Sequence, residues 1–257
     1  MARAVVGARP SDIKVTPIIE RHPGRDALVA AAAEAVAREI LEAVARSGLC
    51  RVALSGGETP RALYARLAEP PWADAIPWSK TQWFFGDERW VPRQAAESTF
   101  AMVNDALFSK VKIPPSLIFP VPTDERAPRA GAAVYEATLR AQFGRVPWPE
   151  FELVLMGLGA DGHTASLFPG DPALAERRAW VTATRAGYPV PDRVTLTVPV
   201  FAHAQAMIFL VAGSSKARAV AATLAGPSDP TRWPAQDVLP VAGRCLWLLD
   251  AEAAALL

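Results

Sequence analysis

The stretch FELVLMGLGADGHTASLFPG, Phe151 to Gly170, decides the reading of this chain. Its apolar opening, Phe151, Leu153, Val154, Leu155 and Met156, is short and bounded by glycine, which predicts a buried strand. Gly157, Gly159 and Gly162 then let the backbone turn sharply and leave N–H groups open to a ligand. Into that turn fall Asp161 and His163. Histidine is the side chain best suited to move a proton near neutral pH, and a carboxylate beside it can fix its tautomer. A buried strand ending in a glycine turn with Asp and His predicts an active-site loop on an α/β sheet, rather than a polar loop with a solvated histidine.

The flanking sequence alternates strand-like and helix-like segments. Val15 to Glu20 predicts a first strand. Residues 24 to 46 predict a helix with Val29, Ala33, Val36, Ile40 and Val44 on one face, ended by Ser47-Gly48. Arg51 to Leu54 and Trp83 to Phe85 read as short strands with a helix through Leu63 and Leu67 between them. Further helices are expected over Ser98 to Phe108 and Ala127 to Phe143. Beyond the Asp-His loop, Val194 to Val198, Ala206 to Ala212 and Cys245 to Leu249 predict strands. Ser214 to Leu224 predicts a helix, and a short one is expected at the C-terminus. Such alternation implies a mostly parallel sheet with helices on both faces and a ligand outside the carboxyl ends of the strands. The 24 prolines mark loop boundaries, as at Pro70-Pro71, Pro114-Pro115 and Pro189 to Pro191, rather than a disordered repeat.

Composition narrows the function classes. A chain of 257 residues can bury a full core, and a single domain over 1–257 is expected. The net charge of +1 suggests neither a nucleic-acid nor a membrane surface. Cys50 and Cys245 each flank an apolar run outside any CxxC context, so buried free thiols are expected. No apolar stretch reaches the roughly 18 residues needed to span a bilayer. The MARAVVGARPSD start lacks a signal-type apolar core, so a cytoplasmic protein is expected.

The remaining polar signatures also follow strands. Ser55-Gly56-Gly57, before a helix starting near Pro60 with Thr59 as N-cap, is an anion-binding arrangement. It is not a P-loop, and no G-x-G-x-x-G follows the first strand, so nucleotide binding is unsupported. In Gly86-Asp87-Glu88-Arg89, Asp87 can orient a hydroxyl-rich substrate and Arg89 can contact an oxyanion or phosphate. Gly213-Ser214-Ser215-Lys216 places a cation where the helix dipole opposes it, which a shared anionic ligand explains. Arg193 is a further cation near the same sheet edge. His22, read in an early loop, and His203, in a helix or turn, form no ligand set with His163, so no metal is assigned. The absence of Gly-x-Ser-x-Gly argues against a serine acyl-enzyme built on a nucleophile elbow.

Taken together these loops resemble the 6-phosphogluconolactonase family. The resemblance rests on LSGGETP (Leu54–Pro60), FFGDERWVP (Phe84–Pro92), ESTFAMVNDALF (Glu97–Phe108), GLGADGHTASLFPG (Gly157–Gly170), RVTLTVPV (Arg193–Val200) and GSSKARAV (Gly213–Val220), in the family's order. It implies a Rossmann-like fold shared with glucosamine-6-phosphate deaminases and sugar-phosphate isomerases. The implied reaction is hydrolysis of 6-phosphoglucono-lactone to 6-phosphogluconate, in the oxidative pentose phosphate pathway, without metal or organic cofactor. His163 is then the general base, Asp161 its orienting neighbour, and Asp87 a further catalytic residue. Ser55, Gly56, Gly57, Thr59, Arg89, Arg193 and Lys216 hold the phosphate or the developing carboxylate. The isomerases need an acid shortly after the Asp-x-His pair, where this chain has Ala165, Ser166, Leu167 and Phe168 and no carboxylate before Asp171. A non-catalytic sugar-phosphate sensor would have no need of Asp161 and His163. The expected partner is a small sugar-phosphate lactone, and the sequence leaves the oligomeric state open.

Overall fold

The computed structural model describes residues 15–257; the MARAVVGARPSD segment lies outside them. Strand β1 (Ile18–His22) leads into helix α1 (Arg25–Ser47), which buries Leu28, Ala32, Ala33, Val36 and Ile40. Gly48 ends α1 at φ 79°, its N–H bonding back to Val44 O at 2.8 Å, a left-handed cap that glycine adopts without a Cβ penalty. Strand β1 starts three residues later than the sequence suggests, and His22 ends it rather than lying in a loop. There follow β2 (Cys50–Leu54), α2 (Glu58–Leu67), the single turn α3 (Trp72–Ala75), β3 (Thr81–Phe85) and β4 (Asp87–Arg89). Helix α4 (Thr99–Val103) starts at Ser98, whose hydroxyl accepts the Ala101 N–H at 3.2 Å, and widens into a π-type turn over Asn104–Phe108.

Helix α5 (Pro128–Phe143), β5 (Leu153–Met156), β6 (Val181–Arg185), β7 (Asp192–Leu196) and α6 (Val198–Ala202) come next. The chain then forms β8 (Ala206–Val211), a 3-10 turn over Ser214–Lys216, α7 (Ala217–Leu224) and β9 (Arg244–Asp250). Residues 251–256 form turns, not the expected terminal helix.

Six strands pair in parallel in the order β1-β9-β8-β5-β2-β3. Every residue of β5 and β8 is buried. Successive strand residues point to opposite faces, so both faces of the sheet are covered, as the alternation predicted. Around β3 the core is aromatic: Phe84 stacks on Phe119 at 4.6 Å and meets Phe151 edge-on at 5.5 Å. Cys50 and Cys245 are buried free thiols on β2 and β9, as expected, and burial pushes Cys245 up to about 12. Among the described residues no helix is long and apolar enough to cross a membrane.

A second, antiparallel sheet in the order β4-β7-β6 was not legible in the sequence. The Gly86–Arg89 stretch is therefore not simply a loop after β3. At Gly86 the chain crosses between sheets: its N–H donates to Leu54 O and its carbonyl accepts the Leu196 N–H, each at 2.8 Å. A Cβ there would stand 3.3 Å from Leu54 O, which favours glycine at the crossing. The expected parallel strand at Val194 to Val198 is instead β7, antiparallel to both neighbours, and Val198 begins α6. The reason is the short Pro-rich connection from β6, where Ala186 N–H bonds to Pro191 O at 2.8 Å. Such a hairpin leaves no room for the crossover helix that parallel pairing needs.

Candidate active site

The carboxyl ends of all six parallel strands feed one cavity of about 710 Å³. Pro23 to Arg25 reach it after β1, Ser55 to Pro60 after β2, and His163 to Ala165 beyond β5. Gly213 and Lys216 come from beyond β8, and Ala251 and Glu252 from beyond β9. Strand β3 contributes across the Gly86 crossing, through Asp87 and Arg89 on β4, and β7 adds Arg193. Of the residues singled out in the sequence, Ser55, Gly56, Gly57, Thr59, Asp87, Arg89, His163, Arg193 and Lys216 all line this cavity. Asp161 stands behind His163 rather than on the wall.

His163 Nδ1 lies 2.6 Å from Asp161 Oδ1, and the His163 backbone N–H donates to the same oxygen at 3.2 Å. An ionised carboxylate can only accept, so Nδ1 carries the proton and Nε2 has a free lone pair. Half-burial pushes the Asp161 carboxyl up, but the hydrogen bond and charge of His163, with the Tyr188 hydroxyl, outweigh it and hold Asp161 down at about 2. Glycine is needed at two points of this loop. A Cβ on Gly159 would overlap the His163 ring, and Gly162, at φ 89°, would drive one into Trp233. Leu167 is fully buried, and Phe168 packs 4.7 Å from the imidazole.

The glycine-rich loop differs from expectation in its cap. Gly57, at φ 111°, is the N-cap of α2, and Thr59 lies inside the first turn. No side chain caps these amides, so the helix start faces the cavity with free N–H groups. Tyr64 pins the loop from below: its hydroxyl donates to Ser55 O at 2.8 Å and accepts the Ser55 N–H at 3.0 Å. Tyr135 makes the same pair of bonds to Phe85 at the end of β3, at 3.1 and 2.8 Å. Where each ladder stops, a buried phenol satisfies the backbone.

On β4 the acidic residues divide. Asp87 faces the cavity, and its Oδ2 accepts from the buried Ser166 hydroxyl at 2.5 Å, tying β4 to the His163 loop. Glu88 turns away and accepts the N–H groups of Arg89, Thr99 and Phe100 and the Ser98 hydroxyl, capping α4. Burial pushes its carboxyl up, against the pull of those donors. Arg89 is held by Glu97 O at 2.7 Å.

The Gly213-Ser214 turn also departs from expectation. Asp250 accepts the Gly213 N–H on both oxygens at 3.0 Å, and Glu252 takes the Ser214 N–H at 3.1 Å. These amides are spent within the protein, leaving the Lys216 side chain to face an anion from this loop. Burial lowers the Lys216 ammonium, with the Asp161 charge opposing. Arg193 is also lowered by burial. Its Nε donates to Val190 O at 3.1 Å, and its guanidinium lies near the rings of Phe168 and Tyr188, at 5.6 and 5.8 Å. Among the described residues no group of three or more His, Cys, Asp or Glu could hold a metal ion.

Tyr64, Tyr135, Ser166, Glu88 and Asp250 were not assigned site roles from the sequence. For Ser166, Tyr135 and Asp250 the partners Asp87, Phe85 and Gly213 lie 79, 50 and 37 residues away, so no local pattern announces them.

Cavity, dyad and cations together define an α/β protein whose cleft combines a proton-transfer pair with positive charge. The chain belongs to the glucosamine-6-phosphate isomerase/6-phosphogluconolactonase family, whose model matches residues 23–247. It is 39% identical over 243 residues to a 6-phosphogluconolactonase of Synechocystis sp., covering 93% of this chain and 98% of that one. The solved 6-phosphogluconolactonase from Trypanosoma cruzi matches with a TM-score of 0.85 at 29% identity, over 95% of this chain and 97% of that one. A monomeric glucosamine-6-phosphate deaminase matches at 22% identity and a TM-score of 0.77, over 93% of this chain and 99% of that one, a likeness of fold alone.

Proposed function

We propose that this chain hydrolyses 6-phospho-D-glucono-1,5-lactone to 6-phospho-D-gluconate, the lactone-opening step of the oxidative pentose phosphate pathway. The observation that carries the proposal is the His163–Asp161 pair, set on one cavity with a free helix start and the side chains of Arg193 and Lys216. Water attacks the lactone carbonyl carbon while His163 Nε2 takes its proton, and the carbonyl electrons move onto oxygen. Collapse of that oxyanion breaks the bond to the ring oxygen, which leaves with the proton returned by His163. Water is the second reactant, and the products are one hydroxyl and one carboxylic acid, which ionises to the carboxylate and releases its proton.

General-base assistance of this kind contributes roughly 10²–10⁴-fold. Asp161 keeps Nδ1–H oriented and offsets the imidazolium charge. The phosphate is held by the first-turn amides of α2 with Lys216 and Arg193, and binding energy there fixes the ring against His163. Asp87, one oxygen fixed by Ser166, offers the other to a sugar hydroxyl. Positive charge near the carbonyl, Arg89 included, favours the oxyanion.

The test is proton release from freshly generated lactone. Strong acceleration over the spontaneous rate, unaffected by a chelator, is expected. A rate no faster than buffer overturns the proposal.

A further inference from the structure

Tyr188 stands in the hairpin between β6 and β7, which is closed by the Ala186–Pro191 hydrogen bond. From there its hydroxyl donates to Asp161 Oδ2 at 3.1 Å, the carboxylate oxygen that His163 leaves unused. Its ring meets the imidazole edge-on, with centroids 5.6 Å apart, and lies 5.5 Å from Phe168. Phe168, Tyr188 and the Gly159 backbone thus bound the His163 ring and leave Nε2 to the cavity.

We infer that Tyr188 is a positioning residue for the water-activating pair, its hydroxyl fixing the second oxygen of Asp161 and its ring bounding the imidazole of His163. The role depends on His163 acting as the base, as proposed above. A carboxylate gripped on one oxygen can rotate about its Cβ–Cγ bond, and its contact with Nδ1–H then tilts. Donors on both oxygens fix the plane. The hydroxyl also draws charge from Asp161, so the carboxylate stabilises an imidazolium less than it would alone. Removing the hydroxyl therefore changes both the orientation of the Asp161 carboxylate and its charge toward His163.

Other charges face the pair from the packed elements. Lys216, beyond β8, acts on Asp161, and Arg193 on β7 acts on Tyr188. Arg193 is itself flanked by Asp87, Glu88 and Arg89 of β4. Tyr188→Phe leaves all of these in place and removes one hydroxyl.

The experiment compares Tyr188→Phe and Tyr188→Leu with the unaltered full chain. It measures kcat and KM on the phosphorylated lactone across pH, and the His163 imidazole titration by NMR without substrate. Tyr188→Phe is expected to lower kcat about three- to tenfold, the order of one lost hydrogen bond, with KM little changed. The acid limb of kcat and the imidazole titration should both move, and Tyr188→Leu, which also loses the ring, should lose more turnover. Unchanged kcat with an unmoved titration overturns the inference, as does a loss confined to KM or one that tracks a lowered Tm. Tyr188 is 42% exposed, so neither variant is expected to unfold the chain. If the unaltered chain does not hydrolyse the lactone, the proposed function fails, while the substrate-free titration still decides whether Tyr188 acts on His163.

Discussion

At His163 the two ring nitrogens are separated by their surroundings, one committed to Asp161 and one left to the cavity. Removing the ring removes the base but not the anion-binding groups. His163→Ala is therefore expected to lower turnover by roughly 10²–10⁴-fold, while binding of the product 6-phosphogluconate changes little. Near wild-type turnover in a folded variant would take His163 out of the mechanism. Asp161→Asn should move in the same direction, because the neutral amide no longer offsets an imidazolium. Asp161 also predicts a pH dependence of stability. Its folded value of about 2 lies below the ordinary 3.8, so the folded state gives up this proton more readily than the unfolded chain. The stabilisation is complete above about pH 4 and is lost as pH falls toward 2, and it is modest because the carboxylate is 39% exposed. The unfolding midpoints of wild type and Asp161→Asn should converge across that window. A constant gap would mean that the pairing with His163 does not depress Asp161.

Among the elements, the helix starts facing the cavity are not equivalent. That of α2 presents uncapped amides, whereas the turn before α7 has given its Gly213 and Ser214 amides to Asp250 and Glu252. The proposed phosphate role of Lys216 therefore rests on its side chain, as does that of Arg193. Lys216→Ala and Arg193→Ala are expected to raise KM for the phosphorylated lactone roughly ten- to a hundredfold, the size of a lost charge-assisted hydrogen bond. The effect on unphosphorylated gluconolactone should be smaller. Equal losses on both substrates would place that side chain at the carbonyl instead. What the sequence disclosed follows the same physics. Helix α1 was legible because 23 residues repeat one apolar face and a glycine closes it. Strand β4 was not, because Asp87-Glu88-Arg89 is three polar residues long and is a strand only through pairing with β7. Thr59 has the chemistry of an N-cap, yet Gly57 takes that position through its positive φ. The Asp161–His163 pair was visible because its members are two residues apart. Ser166 and Tyr188 were not, since their partners Asp87 and Asp161 lie 79 and 27 residues away, and Tyr64 was not, because it reads as an ordinary core residue of α2.

At the scale of the whole molecule, the fold does not choose the reaction, since a deaminase and this chain share it. The choice lies in the segment after His163. Ring opening of an aldose phosphate needs an acid at the ring oxygen and then a base at the carbon beside the carbonyl. Asp87 lines the cavity and could serve as a base, and His163 is committed to activating water, so a further acid after His163 is what decides. Ala165 turns through φ 48°, Ser166 spends its hydroxyl on Asp87, Leu167 is fully buried, and Phe168 packs on His163. The next carboxylate, Asp171, accepts the Ala173 N–H at 2.6 Å and the Thr184 hydroxyl at 2.7 Å, and it is not among the residues lining the cavity. Nothing in this segment can protonate a ring oxygen. A lactone needs no such acid before attack, because its carbonyl is already electrophilic and water is the only other reactant. We therefore predict lactone hydrolysis with neither glucosamine-6-phosphate deamination nor aldose–ketose exchange above background. Incubation with glucosamine 6-phosphate and with glucose 6-phosphate, followed by assay of ammonia and ketose phosphate, makes the comparison. Robust formation of either, without acceleration of lactone hydrolysis, would mean that an acid reaches the ring oxygen from elsewhere on the cavity and that the chain is an isomerase of this fold.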